Sequence, residues 1–432
     1  MRVLSADWVV PVEGPPIRDG AVAIGDDGRI AAVGTAAELG AGERFPEAVI
    51  LPGFVNAHTH LEYAVYAGFG DGLAFSSWIA LHVQRKARLE LEEMEAIARL
   101  GALECLRSGI TMVGDCSFSG AAATACADLG LGAVVYLEVF GMDESALQER
   151  FEPNRDRVAG AFSENVRLGI SPHAPYTCSL DLYRACAELG LPVATQLAES
   201  EAENQFLRTG GGSWQEFAEF LVPPLGTTGI RALAEAGLLG PHLLAAHCVQ
   251  ADAEEIELLA THDVAVAHCP RSNAYLGCGI APLTALREAG IRVCIATDSP
   301  ASTPSFDMFD EMRAAVTGAR VRERRPDALT AADALDLATL GGARALGLAD
   351  EMGSIAPGKR ADLTVLSLAG SPLIPWEDPV TAAVLGGSPD RVLATLVSGK
   401  PRYEKGGKTW LERIDAARSA RDRLLSRAGP MS

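Results

Sequence analysis

The chain has 432 residues, 48% hydrophobic and 22% charged, which excludes disorder for most of its length and fits one large or two modest domains. Its 37 Lys and Arg stand against 56 Asp and Glu, a formal charge of -19. A surface built for nucleic acid is therefore not expected, and a small-molecule substrate is. No apolar run reaches the roughly 18 residues of a membrane span; the best candidate, Ala121 to Phe140, is broken by Asp128 and Glu138. The first residues lack the basic stretch and apolar core of a secretory signal, so residence in the cytoplasm is expected, with homo-oligomerisation left open.

The first 50 residues carry short strand patterns, Trp8 to Val10, Ala21 to Ile24 and Ile30 to Val33, the last two joined by the turn Gly25-Asp26-Asp27-Gly28. From residue 50 to about 320, β-branched runs alternate with amphipathic stretches, the pattern of repeated βα units. The strand candidates are Val49 to Ala57, Ile110 to Asp115, Gly132 to Val139, Val166 to His173, Pro192 to Leu197, Leu243 to His247, Val264 to His268 and Ile291 to Thr297. Helices are expected after Ser179, over Leu180 to Leu189, and after the capping-box pair Asp252 and Glu255, over Ile256 to His262. Eight such units in about 250 residues predict an α/β fold, a (β/α)8 TIM-type barrel. After a helical stretch, Thr330 to Leu348, strand patterns return at Ala361 to Leu366, Ala382 to Leu385 and Val392 to Val397. Neither end can bury a sheet alone, so the two are expected to pair into a small β-sandwich domain bracketing the barrel. The expected division is β-domain over 1–50, barrel over 51–350, β-domain again over 351–410 and a charged surface helix or tail over 411–432.

Nine cysteines, none in a Cys-x-x-Cys pair and most in apolar segments, argue against a disulfide framework or a zinc knuckle. The sharpest chemical signal is Asn56-Ala57-His58-Thr59-His60. Alternation along a strand points His58 and His60 the same way, roughly 7 Å apart and within reach of one ion. Of the eight histidines, His58, His60, His173, His247 and His268 fall at the carboxyl ends of expected strands, where barrel enzymes assemble their sites. His82, His242 and His262 lie elsewhere and read as packing or surface residues. The eighth strand delivers Asp298 to the same rim, for metal ligation or proton transfer rather than as a helix cap.

Together with Pro172-His173-Ala174-Pro175-Tyr176, Leu197-Ala198-Glu199, His268-Cys269-Pro270-Arg271-Ser272-Asn273 and Thr297-Asp298-Ser299, these residues follow an order that resembles the amidohydrolase superfamily. The resemblance is to the branch holding S-adenosylhomocysteine, methylthioadenosine and aminodeoxyfutalosine deaminases and triazine hydrolases, and it covers essentially the whole chain. It implies that His58, His60, His247 and Asp298 hold one divalent metal ion, Zn first, with Fe or Mn as alternatives. It further implies that Glu199 shuttles protons and that His268 orients nucleophile and substrate. One position departs from the pattern: where such enzymes have His-x-x-Glu, this chain has Gln196-Leu197-Ala198-Glu199, and a Gln oxygen is a weaker donor than imidazole. The chain has five lysines and none between residues 87 and 358, which excludes a binuclear centre bridged by a carboxylated lysine on the fourth strand.

Neither a phosphate-binding Gly-x-x-x-x-Gly-Lys nor a Gly-x-Ser-x-Gly elbow is present, so hydrolysis by an activated water is expected. Phe75 and Trp78 offer stacking surfaces, with core packing as the alternative. The acidic residue that nucleoside deaminases of this branch often carry before that Trp is absent; the chain has Ser76-Ser77, so ribose recognition passes to Glu62. His173 and Tyr176 are expected to touch the substrate, and Arg271 to meet a carboxylate on it. The segment Phe206 to Thr228, with Gly210-Gly211-Gly212 and Trp214, reads as a lid. The expected activity is metal-dependent deamination of an adenine-type nucleoside or related amino-heterocycle, with aminodeoxyfutalosine named first because of Arg271. The alternatives are a triazine-type chloro- or aminohydrolase and, from another class, a non-catalytic binder on the same scaffold.

Overall fold

A computed structural model describes residues 1–370, 377–407 and 409–428. The amino-terminal residues form β1 (Arg2–Val9), β2 (Ile17–Arg18), β3 (Gly20–Ile24), β4 (Ile30–Thr35) and β5 (Glu43–Pro52). The barrel strands follow as β6 (Phe54–Thr59), β7 (Ile110–Ser117), β8 (Gly132–Val139), β9 (Val166–Pro172), β10 (Val193–Leu197), β11 (Leu243–His247), β12 (Ala265–His268) and β13 (Arg292–Ile295). The chain then returns to the first sheet with β14 (Leu363–Ser367), β15 (Val392–Val397) and β16 (Lys400–Glu404).

Strands β6 to β13 pair in parallel and in sequence order, with helices between them, as the alternating pattern requires of a (β/α)8 barrel. Small and β-branched side chains, among them Val55, Val134, Ala194, Ala265 and Cys294, fill its interior. All nine cysteines are buried and free. The closing seam, between β6 and β13, is not a continuous ladder. The Asp298 N–H donates to the His58 carbonyl at 3.0 Å, and the Asn56 amide exchanges two hydrogen bonds with Thr297, at 2.7 and 2.9 Å. A buried asparagine thus supplies the donor and acceptor that strand backbones supply elsewhere.

The two chain ends join in one mixed eight-stranded sheet with an apolar cluster of its own, including Leu4, Ile24, Ile50, Leu363 and Leu396. The expected strand Val49 to Ala57 divides between the sheets, because the chain breaks at Gly53. A Cβ there would lie 2.2 Å from the Thr111 side chain, and while the Gly53 N–H still bonds to Asp362 O beside β14, the next N–H, of Phe54, turns to Gly109 O beside the barrel strand β7. The expected strand Ala382 to Leu385 is a helix, Pro379–Gly386. Asp378 caps it by accepting from the N–H groups of Val380 and Thr381, and Pro379 occupies its first turn. An apolar run so short does not distinguish helix from strand by periodicity, and the Asp-Pro start decides it.

The tail forms the helix Thr409–Ala428, packed on the helix Leu91–Arg107 through Ala417, Ala420 and Leu424 and through Arg423 and Arg427, both bonded to Glu93. The last four residues of the expected tail lie outside the described residues. Among the described residues no helix is long and apolar enough to cross a membrane.

Candidate active site

Strand ends bring the expected ligands together at the carboxyl-terminal mouth of the barrel. Nε2 of His60 and Nε2 of His58 lie 3.4 and 3.6 Å from Oδ1 of Asp298. Nδ1 of His247 lies 3.6 Å from Oε1 of Glu199. His58, His60 and Asp298 form one buried trio of donors within 4.8 Å of one another, and Glu199, His247 and Asp298 form a second sharing the same aspartate. Three strand-end residues, Ala198, His247 and Asp298, take left-handed backbone angles, φ of 51°, 73° and 60°. Strain of this kind, about 1–3 kcal/mol each, persists where a surrounding scaffold enforces it, and it clusters at working sites.

The orientation of the imidazoles follows from what their other nitrogens touch. His60 Nδ1 is 3.0 Å from the Cys116 carbonyl and His247 Nδ1 is 3.0 Å from Asn273 Oδ1. Both partners only accept, so each Nδ1 carries the proton and each Nε2 keeps its lone pair. Nε2 of His58 and of His247 are buried with no hydrogen-bond partner among the described residues. Orphaned, neutral nitrogens beside a carboxylate fit a divalent metal ion. Burial is the first cause keeping them neutral: it depresses His58 well below its ordinary range, with His60 adding to the effect, and lowers His247. Burial also opposes the charge of Asp298, but His60, His247, His58 and the Ser272 hydroxyl outweigh it and hold that carboxyl below its ordinary value.

Gln196 takes its place beside this cluster, its amide nitrogen 3.4 Å from His60 Nε2; turning the amide over aims its oxygen at the same point. Glu199 is buried, and burial first, then Asp298 and Glu203, push its pKa well above the carboxylate norm. Glu203 accepts from the N–H groups of Ala198, Glu199 and Ser200 and so clamps the loop that carries Glu199. The spacing Ser200-x-x-Glu203, a capping box, announces this residue in the sequence, where it went unused. His268 stands buried at the end of β12 with Nδ1 unpartnered, its pKa lowered to about 4 by burial and by His247.

Above the cluster lies a cavity of about 500 Å³ lined by Glu199, Asp298, Gln196, His173, Tyr176 and Trp78, among others. The expected substrate contacts His173, Tyr176 and Trp78 therefore line it, and Trp78 packs on Phe75, centroids 6.2 Å apart. Trp214, Phe217 and Phe220, from the segment read as a lid, complete the wall. His82, read as a packing residue, also lines the cavity, 4.3 Å from the Trp78 ring.

Two residues expected at the substrate stand away from the cavity wall. Arg271 does not line the cavity; its guanidinium lies 3.5 Å from the buried Glu311 and reaches Ser305 at 3.4 Å, so it is committed to structure behind the site. Glu62 is likewise engaged: its carboxylate accepts from the Ser117 hydroxyl and from the N–H and hydroxyl of Ser119, and it does not line the cavity.

Comparison with known proteins agrees with this architecture. The chain is 34% identical over 407 residues to the 5′-deoxyadenosine deaminase of Methanothermobacter thermautotrophicus, covering 92% of each. It is 34% identical over 413 residues to the 5-methylthioadenosine/S-adenosylhomocysteine deaminase of Moorella thermoacetica, covering 92% of this chain and 93% of that one. A solved adenosine deaminase from Xanthomonas campestris, with bound zinc, superposes with a TM-score of 0.87 at 29% identity, over 98% of both chains. A model of the amidohydrolase family matches residues 49–402. With its barrel, its strand-end histidines and this match over most of its length, the chain belongs to the amidohydrolase family.

Proposed function

We propose that this metal-dependent hydrolytic deaminase acts on an adenine nucleoside altered at its 5′ position, releasing ammonia from C6 of the ring. The observation that carries the reading is the meeting of the two donor trios at Asp298, on the floor of an aromatic-lined cavity. The relatives at 34% identity deaminate 5′-deoxyadenosine and 5-methylthioadenosine or S-adenosylhomocysteine, which supports a substrate of that class.

His58, His60, His247 and Asp298 hold the ion, with Gln196 beside them, and zinc is the metal proposed because nitrogen and carboxylate donors suit it. When bound, the ion lowers the pKa of a water and makes a nucleophile available at neutral pH. Every other task falls to side chains. Glu199, raised in pKa and facing the cavity, protonates the ring nitrogen next to the attacked carbon and passes a proton to the departing ammonia. Asp298, which reaches Nε2 of both His58 and His60, takes the proton of the attacking water, and His268, buried at the end of β12 with Nδ1 unpartnered, helps orient it. Trp78, Tyr176 and Trp214 exclude bulk water from the ring.

The test is ultraviolet-detected conversion of adenine to hypoxanthine with 5′-deoxyadenosine, 5′-methylthioadenosine, S-adenosylhomocysteine and a chlorotriazine. Turnover of at least one nucleoside and none of the triazine is expected. Dechlorination of the triazine without nucleoside turnover would overturn the proposal.

A further inference from the structure

The cavity contains one charged pair that the ligand cluster does not use. Lys86, last residue of the helix Phe75–Lys86, and Glu138, near the end of β8, both line it, with side chains only 8% and 3% exposed. Nζ and Oε2 stand 3.9 Å apart, close enough to attract and too far for a hydrogen bond. Among the described residues neither the ammonium nor the carboxylate has a hydrogen-bond partner.

Aromatic rings of the same cavity wall flank the pair. The Lys86 ammonium sits 3.9 Å from the Phe118 ring centroid and 4.8 Å from that of Tyr63. Arg150 covers the same Phe118 ring at 3.8 Å and donates to the Glu138 carbonyl. Two charges removed from water without hydrogen bonds cost stability, and a pair serving the fold alone would close the remaining gap. Their unused donors and acceptors instead face the space a substrate enters. The pair is neutral as a whole, so it suits a neutral group that donates and accepts at once, which a vicinal diol does. A carboxylate on the substrate would meet Glu138.

Position fixes which part of the substrate arrives there. Oε1 of Glu138 is 4.0 Å from Nδ1 of His60, whose Nε2 is 3.4 Å from Asp298. Only one imidazole ring separates the carboxylate from the reacting centre. That is the reach from C6 of a purine to its sugar hydroxyls, and short of the reach to a substituent beyond C5′.

We infer that Glu138 and Lys86 form the subsite for the sugar hydroxyls of the substrate, Glu138 accepting from the 2′- and 3′-hydroxyls and Lys86 donating to one of their oxygens. The inference rests on the adenine-nucleoside reading above, and it fills the role that Ser76-Ser77 and the engaged Glu62 leave vacant.

The test compares 5′-deoxyadenosine with its 2′,3′-dideoxy counterpart in the metal-loaded parent, Glu138→Gln and the neutral double variant Lys86→Gln/Glu138→Gln, with melting curves and metal content taken alongside. Losing the hydroxyls should lower kcat/KM of the parent by about 10²-fold or more, because the buried charges are then left unpaired. In either variant that penalty should shrink to about threefold or less, the two changes being non-additive where they remove one contact. If Glu138→Gln does not fold, the double variant, with no unpaired charge, reads the same quantity. Equal turnover of both compounds by the parent, or a full penalty surviving in folded variants, overturns the diol subsite alone. A metal-loaded parent inactive on every adenine nucleoside overturns the functional reading and this subsite with it.

Discussion

The side-chain oxygen of Asn273 lies 3.0 Å from Nδ1 of His247, and through that contact a short helix, Pro270–Tyr275, decides which nitrogen of the imidazole faces the site. The adjoining Ser272 donates to Oδ2 of Asp298 at 2.7 Å, so one turn of helix orients two neighbouring groups of the cluster. Replacing Asn273 by Ala should weaken metal retention by about 10- to 100-fold, the usual cost of losing a partner that fixes a ligand's tautomer. Chelator competition measures this. Asn273→Asp, which keeps an acceptor at the same place, should recover most of the loss, and equal loss in both variants would show that His247 orients itself.

Gln196 stands beside His60 where an imidazole would add a nitrogen donor. Gln196→His should therefore slow the loss of metal to a chelator, whatever happens to turnover. The parent should contain about one equivalent of metal by elemental analysis when prepared without chelator. Stripping rates that do not differ between the two proteins mean that residue 196 does not face the ion.

Glu199→Gln preserves size and removes proton exchange. It should lower kcat by about 10²- to 10⁴-fold while metal content and substrate affinity stay close to the parent's. The competing role for Glu199, complementing the start of the helix Glu201–Thr209, predicts only a lower melting temperature. Full turnover in the variant would assign the proton path to Asp298 and His268.

Glu93 ties the tail helix to the barrel, and its titration carries a sign that can be checked. Burial pushes its carboxyl up, but the Glu90 N–H and the guanidiniums of Arg423 and Arg427 outweigh that and leave it below its ordinary value. A depressed carboxyl contributes stability above its unfolded pKa and loses it as pH falls through the lower, folded one. The gap in melting temperature between the parent and Glu93→Gln should be widest near neutral pH and vanish in acid below the ordinary carboxylate range. A gap that persists unchanged in acid removes Glu93 from the account of tail docking.

The barrel and the cluster at its mouth were legible because both rest on local patterns. His58 and His60 sit two apart on one strand, and His247, His268 and Asp298 each follow an apolar run whose end is visible in the sequence. That Arg271 and Glu62 stand off the cavity wall was not legible, because the partners they bond, Glu311 and Ser117 with Ser119, lie 40 or more residues away and are adjacent only in the fold. The lysines carried meaning only through their absence between residues 87 and 358, and Lys86 stands just outside that gap. Its place on the cavity wall depends on how the helix Phe75–Lys86 lies across the barrel mouth, which no periodicity in that helix reveals. His82, read as a packing or surface residue, lines the same wall for the same reason.

His58 comes from the first barrel strand and Asp298 from the segment just after the last, and a backbone bond closing the barrel between them, from the Asp298 N–H to the His58 carbonyl, joins these same two residues. An ion held by both side chains is a buckle on that belt. Its bonds span the junction where the Asn56 side chain replaces part of the ladder, so taking the metal away should let the first and last strands part before any other neighbours do. Deuterium uptake around residues 54–59 and 292–298 would then rise on chelation while β8 and β9 stay shut. A site evolved for chemistry would in this way also hold the fold's two ends of rope together.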